Sequence, residues 1–182
     1  MIKFILLLLL VLIPANSIAE TQSTKLNELF KTLKKIDNTL DASEVEKEIW
    51  ALWNKHPKSK QLTYKLELGT ELMYEGNYLY ALRVFDNIIK SDPKWSEAWN
   101  KRATVLYMIG DYQESQNDID KVLNLEKRHF GALAGQGLVN IKLKNYEKAI
   151  ESYEKAQEIY PAMQSPKIMI KEIQEIINQQ LI

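Results

Sequence analysis

The sequence predicts an all-α solenoid of three stacked helix pairs, with a further helical segment at each end. Three observations carry this expectation. Gly69, Ala103 and Gly137 fall 34 residues apart, and so do Tyr78, Tyr112 and Tyr146. The same step links Ala81, Ser115 and Ala149, then Phe85, Ile119 and Tyr153, then Ile88, Val122 and Ala156. Self-similarity at about 34 residues marks a helix–turn–helix unit that buries its apolar face by stacking on its neighbours. Within the first unit Leu79, Leu82, Phe85 and Ile89 recur at three- and four-residue steps, the period of one helical face. Asp92-Pro93 and Tyr160-Pro161, two periods apart with Lys127 midway, stop second helices, because proline disfavours a helical conformation in the residue before it.

Taken in order, residues 1–19 have the layout of a secretory signal: a positive start at Lys3, an unbroken apolar run from Phe4 to Ile13, Pro14, and small Ser17 and Ala19 before Glu20. Ten helical residues cover only about 15 Å, half of a hydrocarbon core of roughly 30 Å. Cleavage after Ala19 and export to the periplasm are the expectation. The alternative is an uncleaved signal anchoring the chain in the inner membrane. Residues 20–61 form an N-terminal helical region, either a degenerate repeat or a cap. Leu26, Leu29, Phe30, Leu33 and Ile36 make one helical face, and Val45, Ile49, Leu52 and Trp53 another. Asp41 to Glu44 reads as a capping box for the second helix, and Lys55 to Lys60 as a hinge or loop. The repeats then run over 62–95, 96–129 and 130–163. Their internal turns read Gly76-Asn77, Gly110-Asp111 and Lys144-Asn145, so the special backbone angle at the third falls to Asn145. Residues 164–182 form a capping helix, with Ile170, Ile173, Ile177 and Leu181 on one face and a polar back.

The three units resemble the tetratricopeptide repeat (TPR) family. The first carries Leu68-Gly69, Gly76, Tyr78, Ala81, Phe85 and Pro93. The middle carries Trp99, Ala103, Gly110, Tyr112 and Ser115, with Lys127 in place of the closing proline. The third carries Gly137, Tyr146, Ala149, Tyr153, Ala156 and Pro161. The resemblance implies a right-handed α-solenoid of three TPR helix pairs, with the first helix of each unit lining a concave face. Carried onto this chain, that groove consists of Leu66, Thr70, Tyr74, Asn100, Lys101, Thr104, Tyr107 and Leu138, with Met73, Met108, Ala134 and Ile141 alongside. The family's two-carboxylate clamp uses lysine, arginine and asparagine facing inward. Only Asn100 and Lys101 have that character here, and Gly131, Ala134 and Gly135 supply nothing polar. What remains is an apolar groove with tyrosine and methionine anchors, suited to an amphipathic helix or an extended apolar segment.

Other chemistries find little support. The chain has 24 basic and 24 acidic residues, so no global field draws nucleic acid, and with no cysteine there is no disulfide or thiolate. His56 and His129 lie in different units without metal-ligand spacing, and no nucleophile elbow or phosphate loop occurs. The glycines of 131–137 fall where repeat helices start and cross. Trp99 is a packing tryptophan, whereas Trp50 lies off the Val45–Ile49–Leu52 face and is the surface candidate. The expectation is a non-enzymatic protein–protein interaction scaffold of the cell envelope, holding a peptide or helix of a partner in the concave groove. It has no cofactor, no metal, no small-molecule substrate and no nucleic-acid partner. Chaperone-like shielding of apolar client segments stays open as an alternative, and so does a structural homo-oligomer such as a homodimer.

Overall fold

Sequence punctuation becomes helix ends in the computed structural model, which describes residues 15–180 and the side chains of 21–179. Helices α1 (Ala15–Leu33) and α2 (Thr39–Trp53) precede three pairs. These are α3 (Lys60–Tyr74) with α4 (Tyr78–Ser91), α5 (Ser96–Ile109) with α6 (Tyr112–Leu125), and α7 (Phe130–Lys142) with α8 (Tyr146–Ile159); α9 (Gln164–Gln180) follows. No strand occurs among the described residues. The molecule is an all-α solenoid.

One bond closes all three internal turns. The amides of Asn77, Asp111 and Asn145 donate to the carbonyls of Leu72, Leu106 and Asn140 at 2.8, 2.9 and 2.8 Å. That geometry requires a left-handed residue just before the donor. Gly76 (φ 79°) and Gly110 (φ 88°) supply it. In the third turn the strain falls on Lys144 (φ 60°) and not on Asn145 (φ −92°), because the bond fixes the position whatever the side chain. A side chain held there costs roughly 1 kcal/mol.

Inside each pair a small residue on the first helix faces a large one on the second, and the two sizes compensate. A methyl group at Gly69 would lie 2.6 Å from the Phe85 ring, and one at Gly137 would lie 2.5 Å from the Tyr153 ring. The middle pair has a methyl at Ala103 and faces it with the slimmer Ile119; both are buried, and Ser115 Oγ donates to the Ala103 carbonyl at 2.8 Å. Between pairs, Arg102 on α5 reaches both neighbouring second helices. It meets Asp86 of α4 at 2.7 Å and grips Asp118 of α6 with two 2.7 Å bonds. A bidentate guanidinium clamp of this kind fixes both distance and angle.

The N-terminal pair does not stack ahead of the first repeat. Instead α1 and α2 lie along the edge formed by the connections between repeats and touch all three. At the first connection His56 Nε2 donates to Asp92 at 2.9 Å, and Trp95 Nε1 donates to the Trp53 carbonyl at 3.0 Å. At the second, Arg128 sits 4.4 Å over the Phe30 ring and donates to Asn27, while His129 stacks on Trp53 at 4.0 Å. At the third, the Tyr160 hydroxyl donates to Glu46 at 3.0 Å. Leu26, Phe30, Leu33, Ile49 and Trp53 share one apolar core with Phe130, Tyr160 and Ala162.

Three local expectations change with this placement. The α2 cap is Asn38, whose side chain accepts from the Asp41 amide, so Asp41 to Glu44 lies within the helix. The 54–59 stretch is a pinned turn and not a hinge: His56 Nδ1 accepts from the amides of Lys58 and Ser59 at 3.1 and 2.9 Å. Trp50 is not a free surface group but packs edge-on against Phe130 and His129 at 5.5 Å. The apolar run 4–13 lies outside the described residues, and the Ala19–Glu20 bond falls inside α1. No helix of the described residues is long and apolar enough to cross a membrane. At the far end α9 covers α8 through Ile173, Met169, Ile170 and Ile177.

Candidate peptide-binding groove

The first helices of the pairs, α3, α5 and α7, place side chains 34 residues apart on one inner surface. The structure gathers the expected groove residues around two concavities. One, of about 90 Å³, lies between α5, α6 and α7 and is lined by Asn100, Thr104, Tyr107, Ile119, Gly135 and Leu138 among others. The other is a wider hollow of about 590 Å³ over α3, where Leu66, Thr70, Tyr74 and Lys101 meet Glu67, Glu71, Glu75 and Asn54. Adjacent residues Asn100 and Lys101 join the two.

The expected residues differ in what they offer. Leu66 is buried and forms the floor. The hydroxyls of Thr70 and Thr104 donate back to the carbonyls of Leu66 and Asn100, at 2.7 and 2.9 Å. Tyr74 is 77% exposed and Leu138 is 38% exposed, so both present apolar surface to a ligand. Tyr107 leans on Tyr112 at 5.5 Å, which holds its ring at the mouth of the smaller concavity. Met73 turns into the core, whereas Met108 remains exposed.

The two polar candidates are committed elsewhere. Glu97 is fully buried and accepts from Asn100 at 3.2 Å and from His129 Nε2 at 3.0 Å, with the Lys101 ammonium 3.2 Å away. Burial pushes the Glu97 carboxyl up, but the His129 bond, the Lys101 charge and the Asn100 amide outweigh it and hold it below its ordinary value. Lys101 also lies 5.8 Å over the Trp50 ring. His129 Nδ1 accepts from the Ala132 amide at 3.0 Å and so caps α7, which leaves the ring proton on Nε2 to donate to Glu97. The basic, open surface of a carboxylate clamp is therefore missing from this groove.

Sequence reasoning missed Asn54 and the three glutamates, and it offered Trp50 as a surface group without placing it at the groove. A methyl at Gly131 would lie 2.6 Å from the Trp50 ring, so α2 closes the α7 end of the groove. Gly135 sits at no crossing: a methyl there would meet only Ile119 Cδ1, at 3.8 Å. The glutamates carried a readable signal, a four-residue step along α3. Trp50 and Asn54 carried none, since only the tertiary placement of α2 brings them to the groove. Among the described residues no group of three His, Asp or Glu side chains is arranged to hold a metal.

A stack of paired helices with small residues at the crossings and an inner surface built by every first helix defines a helical-repeat protein. Residues 66–115 and 131–163 match the tetratricopeptide repeat. A TPR repeat-containing protein of Rhizobium etli is 31% identical over 152 residues, spanning 84% of this chain and 74% of that one. The chain belongs to the tetratricopeptide repeat family. Hsp70-Hsp90 organizing protein 2 of Arabidopsis thaliana is 28% identical over 113 residues, which are 62% of this chain but 20% of that much longer protein. Among solved structures, the first TPR of Spaghetti (RPAP3) bound to an HSP90 peptide superposes with a TM-score of 0.64 at 18% identity, over 66% of this chain and 95% of that one. MamA superposes with a TM-score of 0.62 at 21% identity, over 79% and 87%.

Proposed function

We propose that this protein is a non-enzymatic interaction scaffold that holds a peptide or helix of a partner protein against the concave surface of α3, α5 and α7. The observation that carries this reading is the pair of tyrosines, Tyr74 and Tyr107, each set beside one of two concavities that the packing of the repeats leaves unfilled. Rigid rings with one polar end anchor interfaces at small entropic cost. Similar folds bound to HSP90 and HSP70 peptides support a peptide partner. Capture of the native partner by Tyr74→Ala and Tyr107→Ala variants tests it. Each is expected to weaken capture by roughly 1–2 kcal/mol with helicity intact, and undiminished capture by the double variant would reject the reading.

The same proposal includes export to the periplasm, supported by the Lys3, Phe4–Ile13 and Ser17/Ala19 layout. Cleavage after Ala19 would remove residues 15–19 from the start of α1 and spare every buried residue from Leu26 onward. Mass spectrometry of the exported protein should find Glu20 at the start; intact Met1 would favour the uncleaved anchor. One observation favours self-association as a second reading. Tyr64 is 66% exposed, although its counterparts Ala98 and Ala132 are fully covered by the preceding repeat. Sedimentation would report a dimer that Tyr64→Glu dissociates.

A further inference from the structure

Two local costs stand at the concave face. The first is Gly135, since a mid-helix glycine weakens α7. Gly131 and Gly137 are forced by rings 2.6 and 2.5 Å from where a methyl would stand, but Gly135 has only ordinary contact at 3.8 Å. Its missing side chain keeps open the cavity of about 90 Å³. The second is the row Glu67, Glu71 and Glu75. Like charges at four-residue steps repel, and the last two stand at the C-terminal end of α3, where the helix dipole disfavours them. Glu75 accepts from the neutral Asn77 amide at 2.9 Å, but no cation pairs with any of the three among the described residues, and Lys101, which shares their hollow, is held by Glu97. Local rules broken at a surface that the fold leaves open are expected at functional sites.

We propose that the groove takes a cationic peptide segment carrying one aliphatic anchor. The anchor enters the cavity beside Gly135, and lysine or arginine side chains lie along Glu67, Glu71 and Glu75. This rests on the concave-surface reading above and adds the chemistry of the partner. A cavity of about 150 Å³ holds a benzene ring, so one of about 90 Å³ suits a leucine or isoleucine side chain better than an aromatic one. Glycine at 135 lets the ligand backbone approach α7 closely. The charge preference is opposite to that of the SRMEEVD peptide seen on Spaghetti, and the tied-up Lys101 explains why an acidic ligand finds no cation here.

Fluorescence polarisation with labelled peptides on the purified protein tests this. The probes carry two lysines and one leucine on an alanine–serine background, in a series of spacings. Matched sets change leucine to alanine or lysines to glutamates. The best lysine–leucine probe is expected to lose at least tenfold in affinity with either change. Gly135→Leu, which fills the cavity, should cost the same, and Glu67→Gln/Glu71→Gln/Glu75→Gln should weaken binding severalfold and flatten its salt dependence. Gly135→Ala, with unchanged circular dichroism, shows that the site tolerates a side chain without unfolding. The inference is overturned if glutamate probes bind as well as lysine probes, or if folded Gly135→Leu binds undiminished. It is also overturned if no lysine–leucine probe binds while the native partner is still lost on Tyr74→Ala/Tyr107→Ala. That last outcome leaves the concave-surface reading standing, whereas a partner insensitive to both tyrosines rejects both.

Discussion

Gly137→Ala is the substitution that most sharply tests the packing account. The added methyl would stand 2.5 Å from both Cε2 and Cζ of Tyr153 and 2.9 Å from Cδ2. Carbon atoms pack comfortably at about 3.5–4.0 Å, so the overlap is near 1 Å and falls on a rigid ring that is 1% exposed. Overpacking of this kind costs about 1–3 kcal/mol, and replacing a helical glycine returns up to about 1 kcal/mol. The net expectation is a loss of about 1–2 kcal/mol, or roughly 3–6 °C in Tm for a chain of this size. Gly135→Ala lacks the clash and should instead gain about 1 kcal/mol, although both sites lie in one helix. The double variant Gly137→Ala/Tyr153→Ile copies the Ala103 and Ile119 pair of the middle repeat. It should be more stable than the two single effects sum to by about 1 kcal/mol. Urea denaturation of five proteins, the parent, Gly135→Ala, Gly137→Ala, Tyr153→Ile and the double variant, provides the readout. If Gly137→Ala stabilises as much as Gly135→Ala, the small-against-large reading of the repeats is wrong.

Three further outcomes are expected. Lys144→Gly should raise stability by about 1 kcal/mol, because it removes a side chain from a left-handed position (φ 60°); an unchanged urea midpoint would show that lysine is unstrained there. Arg102→Ala strands Asp118, which is 3% exposed, and should cost roughly 3 kcal/mol, whereas the exposed Lys121→Ala should cost less than about 0.5 kcal/mol; equal midpoints would deny the clamp its role. Glu97 is held below its ordinary value of 4.5, so the stability it contributes is full above that pH and is lost as pH falls below it. Urea midpoints between pH 7 and roughly pH 3 should fall more steeply for the parent than for Glu97→Gln, and parallel curves would contradict the buried network.

The repeats were legible because their physics is local and periodic. Gly69 facing Phe85, Ala103 facing Ile119 and Gly137 facing Tyr153 recur at fixed offsets, so spacing alone places each contact. The N-terminal pair was legible only as two apolar faces. Nothing in Val45, Ile49 or Trp53 says whether they cover a preceding surface or an edge, and the answer lies in long-range partners such as Tyr160 and Glu46, which are 114 residues apart. The groove divides the same way. Tyr74, Thr104, Tyr107 and Leu138 follow from the register. The engagement of Asn100 and Lys101 with Glu97 depends on a buried carboxylate, which in sequence looks like any surface glutamate.

Site-specific photocrosslinking in native cells tests the central claim most directly. A p-benzoylphenylalanine at position 107 or 74 reports contacts at the concave surface, and one at exposed position 121 on α6 or 168 on α9 reports contacts elsewhere. The account predicts one partner protein crosslinked from 107 and 74 and absent from 121 and 168. Crosslinks that form from 121 or 168 and not from 107 would contradict it and move binding to the outer helices or the end of the solenoid.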